Sequence, residues 1–157
     1  MDTLPVASND GGGEFFWYTS KMLAAIFLPF PPSANTYYRT FKVGNSCRVV
    51  LSKKGRDYKK QVAEVVEKMR NEDEAFRNSI PVAIRLSVSV ILNAPTQRKY
   101  DIDNRAKSLL DSLEYAGIYL NDEQVDCLTI RRGEVQKGGS AVVVIRENLA
   151  GNVSEEI

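Results

Sequence analysis

The chain contains no histidine. Its absence removes the side chain that most often carries protons near neutral pH and most often binds transition metals. Hydrolysis by Ser-His-Asp or Cys-His groups is excluded with it. Cysteine is nearly absent too, with only Cys47 and Cys127 present. They have no CxxC spacing, so a zinc site is not expected and two reduced thiols in a cytosolic protein is the reading. Long apolar runs are missing. Met22 to Leu28 is too short to cross a bilayer and ends at Pro29. The opening Met1-Asp2-Thr3 has no basic n-region, so no secretory signal is expected. A cytoplasmic location with no membrane partner follows as an expectation. Charge of one sign is also lacking: 21 basic residues stand against 20 acidic ones, for a net charge of +1.

What is present suits one soluble domain. At 157 residues, 43% hydrophobic and 26% charged, the chain is long enough to bury its own core. The balanced charge is unevenly spread. Lys53-Lys54-Gly55-Arg56-Asp57-Tyr58-Lys59-Lys60 is strongly cationic, Gln97-Arg98-Lys99-Tyr100 forms a second basic run, and Arg131-Arg132 a third. Acid collects at Glu72-Asp73-Glu74 and around Glu155-Glu156. One such run alone is an ordinary solvated face. Together they suit an anionic partner such as nucleic acid, with Lys53, Lys54, Arg56, Arg98 and Lys99 as the contacting residues. Residues 1–21 are polar and glycine-rich and read as a flexible arm, apart from an aromatic patch of no evident purpose, Phe15-Phe16-Trp17-Tyr18. Residues 22–148 form the expected domain, and 149–157 a flexible tail.

Periodicity outlines the domain. Ile26 to Phe30 reads as a strand ended by Pro31-Pro32, and 33–39 as a turn into a second strand. Val43-Gly44-Asn45-Ser46 reads as a hairpin turn, with Cys47 to Leu51 returning. Ser52 suits a helix N-cap, and Tyr58, Val62, Val65, Val66 and Met69 recur at helical spacing up to about Asn71. Val82, Ile84, Leu86, Val88, Val90 and Leu92 alternate as in a strand, broken by Ala94-Pro95-Thr96. A second helix is predicted from Asn104, with Ala106, Leu109, Leu110, Leu113 and Ala116 as its apolar stripe and Gly117 just past its end. Leu128 to Arg132 and Ala141 to Ile145 read as closing strands. The expected class is α+β: a mixed sheet of about five to six strands with two helices packed on one face.

The chemistry concentrates in Asp101-Ile-Asp103-Asn104-Arg-Ala-Lys107, followed by Asp122-Glu123. In extended backbone, residues two apart point the same way, so Asp101 and Asp103 would present both carboxylates to one place. Like charges that close need a cation, and Mg²⁺ commonly takes one or two carboxylates plus waters and substrate phosphate. Lys107 would project one helical turn on, placed to meet phosphate charge. Asp122 would be a third carboxylate. A helix from Asn104 to Ala116 carries the chain roughly 20 Å away, and residues 118–122 return at most about 17 Å. Closure within one subunit is therefore tight, and completion by a partner subunit is the other option. Plainer readings exist: Asp103 as a helix N-cap, Lys107 and Asp111 as an exposed i,i+4 pair, Asn121-Asp122 as a turn. A calcium loop of EF-hand type is disfavoured, because Ala106 stands where that loop needs glycine.

The string Asp101-Ile-Asp103-Asn104-Arg-Ala-Lys107-Ser-Leu-Leu110-Asp111-Ser-Leu113, then Gly117, then Asn121-Asp122-Glu123-Gln124-Val125, resembles the RusA Holliday junction resolvases. So do Pro31-Pro32-Ser33-Ala34-Asn35-Thr36-Tyr37-Tyr38-Arg39 and Leu51-Ser52-Lys53-Lys54-Gly55-Arg56, and the similarity covers roughly residues 26–146. The resemblance implies a homodimeric endonuclease, often of phage or prophage origin. It would use Mg²⁺, with Mn²⁺ as a substitute, to cut four-way DNA junctions by paired symmetric nicks. Asp101, Asp103 and Asp122 would be catalytic metal ligands, Lys107 the essential lysine, and Asn104 and Asp111 supporting residues. Asn121 replaces the first aspartate of the family's usual pair. A junction binder of the same fold without turnover is the alternative.

Overall fold

The computed structural model describes residues 21–148, and the arm and tail expected at the two ends lie outside that range apart from Lys21. Among the described residues, six strands form two separate sheets. β1 (Met22–Pro29), β4 (Leu86–Asn93), β5 (Val125–Arg132) and β6 (Ser140–Glu147) make a four-stranded sheet in the order β1-β6-β4-β5. β6 runs antiparallel to both β1 and β4, whereas β4 and β5 are parallel, so the sheet is mixed. β2 (Tyr38–Val43) and β3 (Ser46–Leu51) form a two-stranded ribbon of their own. The α+β expectation holds, with the difference that the hairpin pairs only with itself. Its turn is the predicted one: Gly44 takes φ +60° while Asn45 keeps a negative φ, as in a type II′ turn.

One face of the large sheet carries the core. Ala24, Ile26 and Leu28 of β1, Leu86, Val88, Val90 and Leu92 of β4, and Ala141, Val143 and Ile145 of β6 are all buried. Alternation along each strand sends these side chains to the same side. Two long helices pack there, α2 (Lys53–Glu72) through Tyr58, Val62 and Val66 and α4 (Asp103–Tyr115) through Leu109 and Leu113. Ser52 caps α2 as expected, its hydroxyl accepting from the Gly55 amide at 3.0 Å. Burial of a side chain such as Leu113, which is fully enclosed, contributes about 1.5–3 kcal/mol.

Two elements escape the periodicity. Residues 33–39 contain a single helical turn, α1 (Ala34–Tyr37), before β2. A short helix, α3 (Glu74–Ser79), follows α2, capped by Asp73 accepting from the Phe76 amide at 3.0 Å. The strand predicted from Val82 begins only at Leu86. Val82 is buried but Ile84 is exposed, and residues 82–85 find no full ladder. The Val82 amide donates to Ile118 O at 2.9 Å, and the Gln124 carboxamide donates to the carbonyls of Val82 and Ile84. A side chain thus satisfies backbone that a strand would have paired.

The end of α4 fixes the route to Asp122. Gly117 adopts φ +74°, its amide donates to Glu114 O, and the Ile118 amide donates to Leu113 O. This is a Schellman reversal, with glycine where sequence placed it. The Arg70 guanidinium, from α2, donates to the carbonyls of Ala116 and Gly117 at 3.0 and 3.1 Å. Among the described residues no helix is long and apolar enough to cross a membrane.

Candidate active site

The helix α4 begins at Asp103, and its N-cap position belongs to Ile102, which makes no side-chain cap bond. Asp103 is therefore not spent on capping. It is exposed, and no hydrogen bond or ion pair engages its carboxylate among the described residues. Asp101 is equally exposed, and its one contact is a long 3.4 Å hydrogen bond donated by the Asn104 carboxamide. Two carboxylates thus stand close in sequence, open to solvent and without an ion pair among the described residues. They line a shallow groove with Ala106, Leu128, Ile130 and Arg132.

Lys107, one turn further, is held differently. Its ammonium donates to Asp111 at 2.7 Å and to Asp122 at 3.0 Å. The Tyr38 hydroxyl, from the ribbon, donates to the other oxygen of Asp111. Those hydrogen bonds, to Asp111 first and Asp122 second, raise the Lys107 pKa above the ordinary lysine range. Lys107 is thus a fixed cation and not a proton acceptor. Burial, then the Asp111 contact, pushes the Tyr38 hydroxyl well above its usual range as well.

Asp122 opens a 3₁₀ turn, Asp122–Gln124. Asn121 caps that turn: its side chain accepts from the Glu123 amide at 2.9 Å, while Gln124 reaches back to the Asn121 amide at 3.0 Å. The residue that departs from the family pattern thus has a structural task that an aspartate would also perform. Glu114 accepts from the Asp122 amide at 3.2 Å and ties the turn to α4.

The return path therefore closes, but onto Lys107, about 6 Å along the helix axis from Asp103. Among the described residues no group of three or more acidic or thiol side chains is placed to hold a metal ion. Asp101 and Asp103 are neighbours; Lys107, Asp111 and Asp122 form a second group; the two groups are adjacent without merging. The donor chemistry fits a hard cation, since only carboxylate and carboxamide oxygens are offered and Mg²⁺ binds through one or two carboxylates plus phosphate.

The basic residues divide as well. Lys54, Arg98 and Lys99 line one groove, with Phe30, Tyr100 and Arg105 among its other walls. Arg98 and Lys99 also line a groove that runs to Asp101 and Arg132. Lys53 is exposed at the start of α2, beside them in sequence. Arg56 turns away, donating to Leu51 O at 2.8 Å and lining a separate groove with Tyr115.

Two arginines matter more than sequence suggested. Arg132 reads only as part of a basic run. It stacks over the Tyr100 ring at 4.3 Å, donates to Tyr100 O at 2.7 Å, and so pins the residue before Asp101 from the end of β5. Arg105 lies over the rings of Phe30 and Tyr100, at 5.0 and 5.6 Å, and donates to Pro31 O at 2.7 Å. Burial lowers its pKa. Little in the local pattern reveals either role, because Arg132 meets a residue 32 positions away and Arg105 a carbonyl 74 positions away.

Comparison with known proteins gives a consistent picture. The family model described as endodeoxyribonuclease RusA matches residues 29–146. The crossover junction endodeoxyribonuclease of Enterobacteria phage HK97 is 37% identical over 120 residues, 76% of this chain and 91% of that protein. The protein of the same name from Escherichia coli K12 is 34% identical over 123 residues, 78% of this chain and 93% of its own. That of Enterobacteria phage 82 is 32% identical over 122 residues, 78% and 92% respectively.

Proposed function

This chain belongs to the RusA family of endodeoxyribonucleases, and from that premise we propose that it resolves four-way DNA junctions by paired nicks, with chemistry at Asp101, Asp103, Lys107 and Asp122. The observation that carries the reading is the pair Asp101 and Asp103, two exposed carboxylates that form no ion pair among the described residues, one helical turn from a fixed lysine cation. Structural acids are usually paired or capping; these two are neither.

Asp101 and Asp103 would hold a Mg²⁺ ion, or Mn²⁺ in its place, and such an ion would polarise an attacking water and neutralise charge at the phosphate. The chain's own residues do the rest. Lys107, protonated and braced by Asp111 and Asp122, offers positive charge to the scissile phosphate and its developing negative charge. Arg132 holds Tyr100, and with it the backbone leading to Asp101. Lys54, Arg98 and Lys99 would track DNA phosphates, which makes binding salt-dependent and shape-directed.

Asp122 remains the third ligand in this reading. Within one chain Lys107 engages it, so a complete set requires that contact to exchange or a second copy to contribute. A two-fold homodimer would also present matching sites to the two equivalent strands of a junction. The relatives come from bacteria and their phages, and we place the protein in the cytoplasm of such cells.

The test is a labelled four-way junction incubated with the purified protein and Mg²⁺. Symmetric nicks in opposing strands are expected, and none on linear duplex under the same conditions. Binding without nicks in Mg²⁺ or Mn²⁺ would establish instead a junction binder without turnover.

A further inference from the structure

From Thr36 to Arg56 the chain carries six basic residues and no acidic one. Three of the six, Arg39, Lys42 and Arg48, stand on the β2–β3 ribbon. The ribbon is held to the body at its root. There Tyr38 and Leu51 lie opposite each other and pack on the core, and the Tyr38 hydroxyl donates to Asp111. The Ser52 amide, just past the returning strand, donates to Tyr37 O at 2.9 Å. Beyond the root, every residue from Arg39 to Val49 is exposed. A sheet usually covers at least one face, and a two-stranded hairpin with neither covered is marginal on its own.

Cross-strand partners share a face. Arg39 with Val50, Phe41 with Arg48, and Val43 with Ser46 therefore lie opposite the face that Tyr38 and Leu51 turn inward. Phe41, 45% exposed, stands directly across from one arginine and two residues from the other. Among the described residues neither arginine has a side-chain partner, and nor has Lys42. A cationic row without acids, interleaved with exposed Phe41 and Val43, marks a contact surface. Shape and charge select the partner. A two-stranded ribbon fits the major groove of duplex DNA, about 12 Å wide, and phosphates line both walls of that groove. From Tyr38 to Val43 the ribbon spans roughly 17 Å, about five steps along a DNA strand. It starts at Asp111, whose other contact is Lys107, so it extends from beside the acidic site. A second copy is a poor match, because two such ribbons would set three cations against three.

We propose that the ribbon lies in the major groove of the junction arm next to the nicked strand, with Arg39 and Arg48 on phosphates and Phe41 toward the base edges. The proposal deepens the nuclease reading and rests on it. It assigns the grip on a duplex arm to a part of the chain separate from the acids that cut.

The test combines Arg39→Ser with Arg48→Ser in one protein, with the circular dichroism spectrum retained because both positions are exposed. In chelator this variant should bind a four-way junction at least about tenfold more weakly, and its slope of log K against log salt should be shallower by about two. Single-turnover nicking at saturating protein should stay within about threefold of wild type, as loss of uniform binding requires. Lys68→Ser with Arg77→Ser removes the same charge from the far end of α2 and from α3 and should leave the slope unchanged. Dimethyl sulfate, which methylates guanine N7 in the major groove, reports the location. Wild-type protein should protect guanines within roughly five base pairs of the nick, and the ribbon variant should expose them. Wild-type nicking without that protection, or a ribbon variant with the wild-type salt slope, overturns the ribbon assignment and leaves the nuclease reading standing. A wild-type protein that neither binds nor nicks the junction overturns both. A wild-type dimer that sediments as a monomer once the two arginines are replaced would give the ribbon to a second copy and overturn the proposal as well.

Discussion

The two halves of the acidic site are held in opposite ways. Asp101 and Asp103 are exposed and have almost no protein partners. Asp122 and Asp111, on the same side of α4, share one lysine, and a tyrosine from the separate ribbon steadies Asp111. On the proposed reading the first pair would receive something positive; the second already has it. A carboxylate with its own counter-ion is electrostatically satisfied, whereas two neighbouring bare ones are stable only while water or a cation screens them. On that reading the difference would separate a binding group from a positioning group inside one short stretch of helix and turn.

The largest test of that division is Asp103→Asn. Single-turnover nicking of a four-way junction should fall at least about 10³-fold, while gel-shift binding in chelator stays near wild type. Chelation should silence the wild-type protein equally, and added Mg²⁺ or Mn²⁺ should restore it. If Asp103→Asn cuts within tenfold of wild type, the open pair is not the reactive half. Lys107→Met comes next, with a loss of about 10²-fold in the same assay. Its melting temperature should fall by more than the loss of a surface pair, about 0–1 kcal/mol, because Asp111, only 16% exposed, is left without its cation.

Tyr38→Phe probes the bracing alone. Loss of the hydroxyl donated to Asp111 should cost about 0.5–1.5 kcal/mol by thermal melting, and less than about tenfold in rate. The smallest effect concerns pH. The folded Lys107 pKa lies above the unfolded value of about 10.4, so the favourable charge contact is fully present below that value and fades only as pH rises through the folded pKa. Between roughly pH 6 and 9 the rate should show no alkaline fall arising from Lys107. Lys107→Arg, which keeps the charge, should leave the shape of the profile unchanged. A limb that shifts with this substitution would make the lysine a titrating group after all.

Local pattern carried much of this. The stripes of α2 and α4, the Ser52 cap, the Gly44 turn and the Gly117 reversal all follow from short-range rules, and each appears where sequence places it. The acids and the lysine were legible as a spacing. What was not legible depends on non-local contacts. α3 is six residues long with one buried apolar side chain, Phe76, too little for a periodic signal. The start of β4 is displaced because Gln124, some forty residues away, takes the carbonyls of Val82 and Ile84. Tyr38, Arg105 and Arg132 join the site through partners on other elements. The division of the acids into two groups depends on where α4 stops and how the chain turns back, and spacing gave only an upper bound on that distance.

The Arg70 contact has a consequence for how substitutions spread. One guanidinium ties the last turn of α2 to the carbonyls that end α4. The far end of α2 and the approach to Asp122 are therefore joined at the glycine reversal. A substitution at Arg70 is thus expected to loosen the turn that leads to Asp122 without touching the groove that holds Asp101 and Asp103.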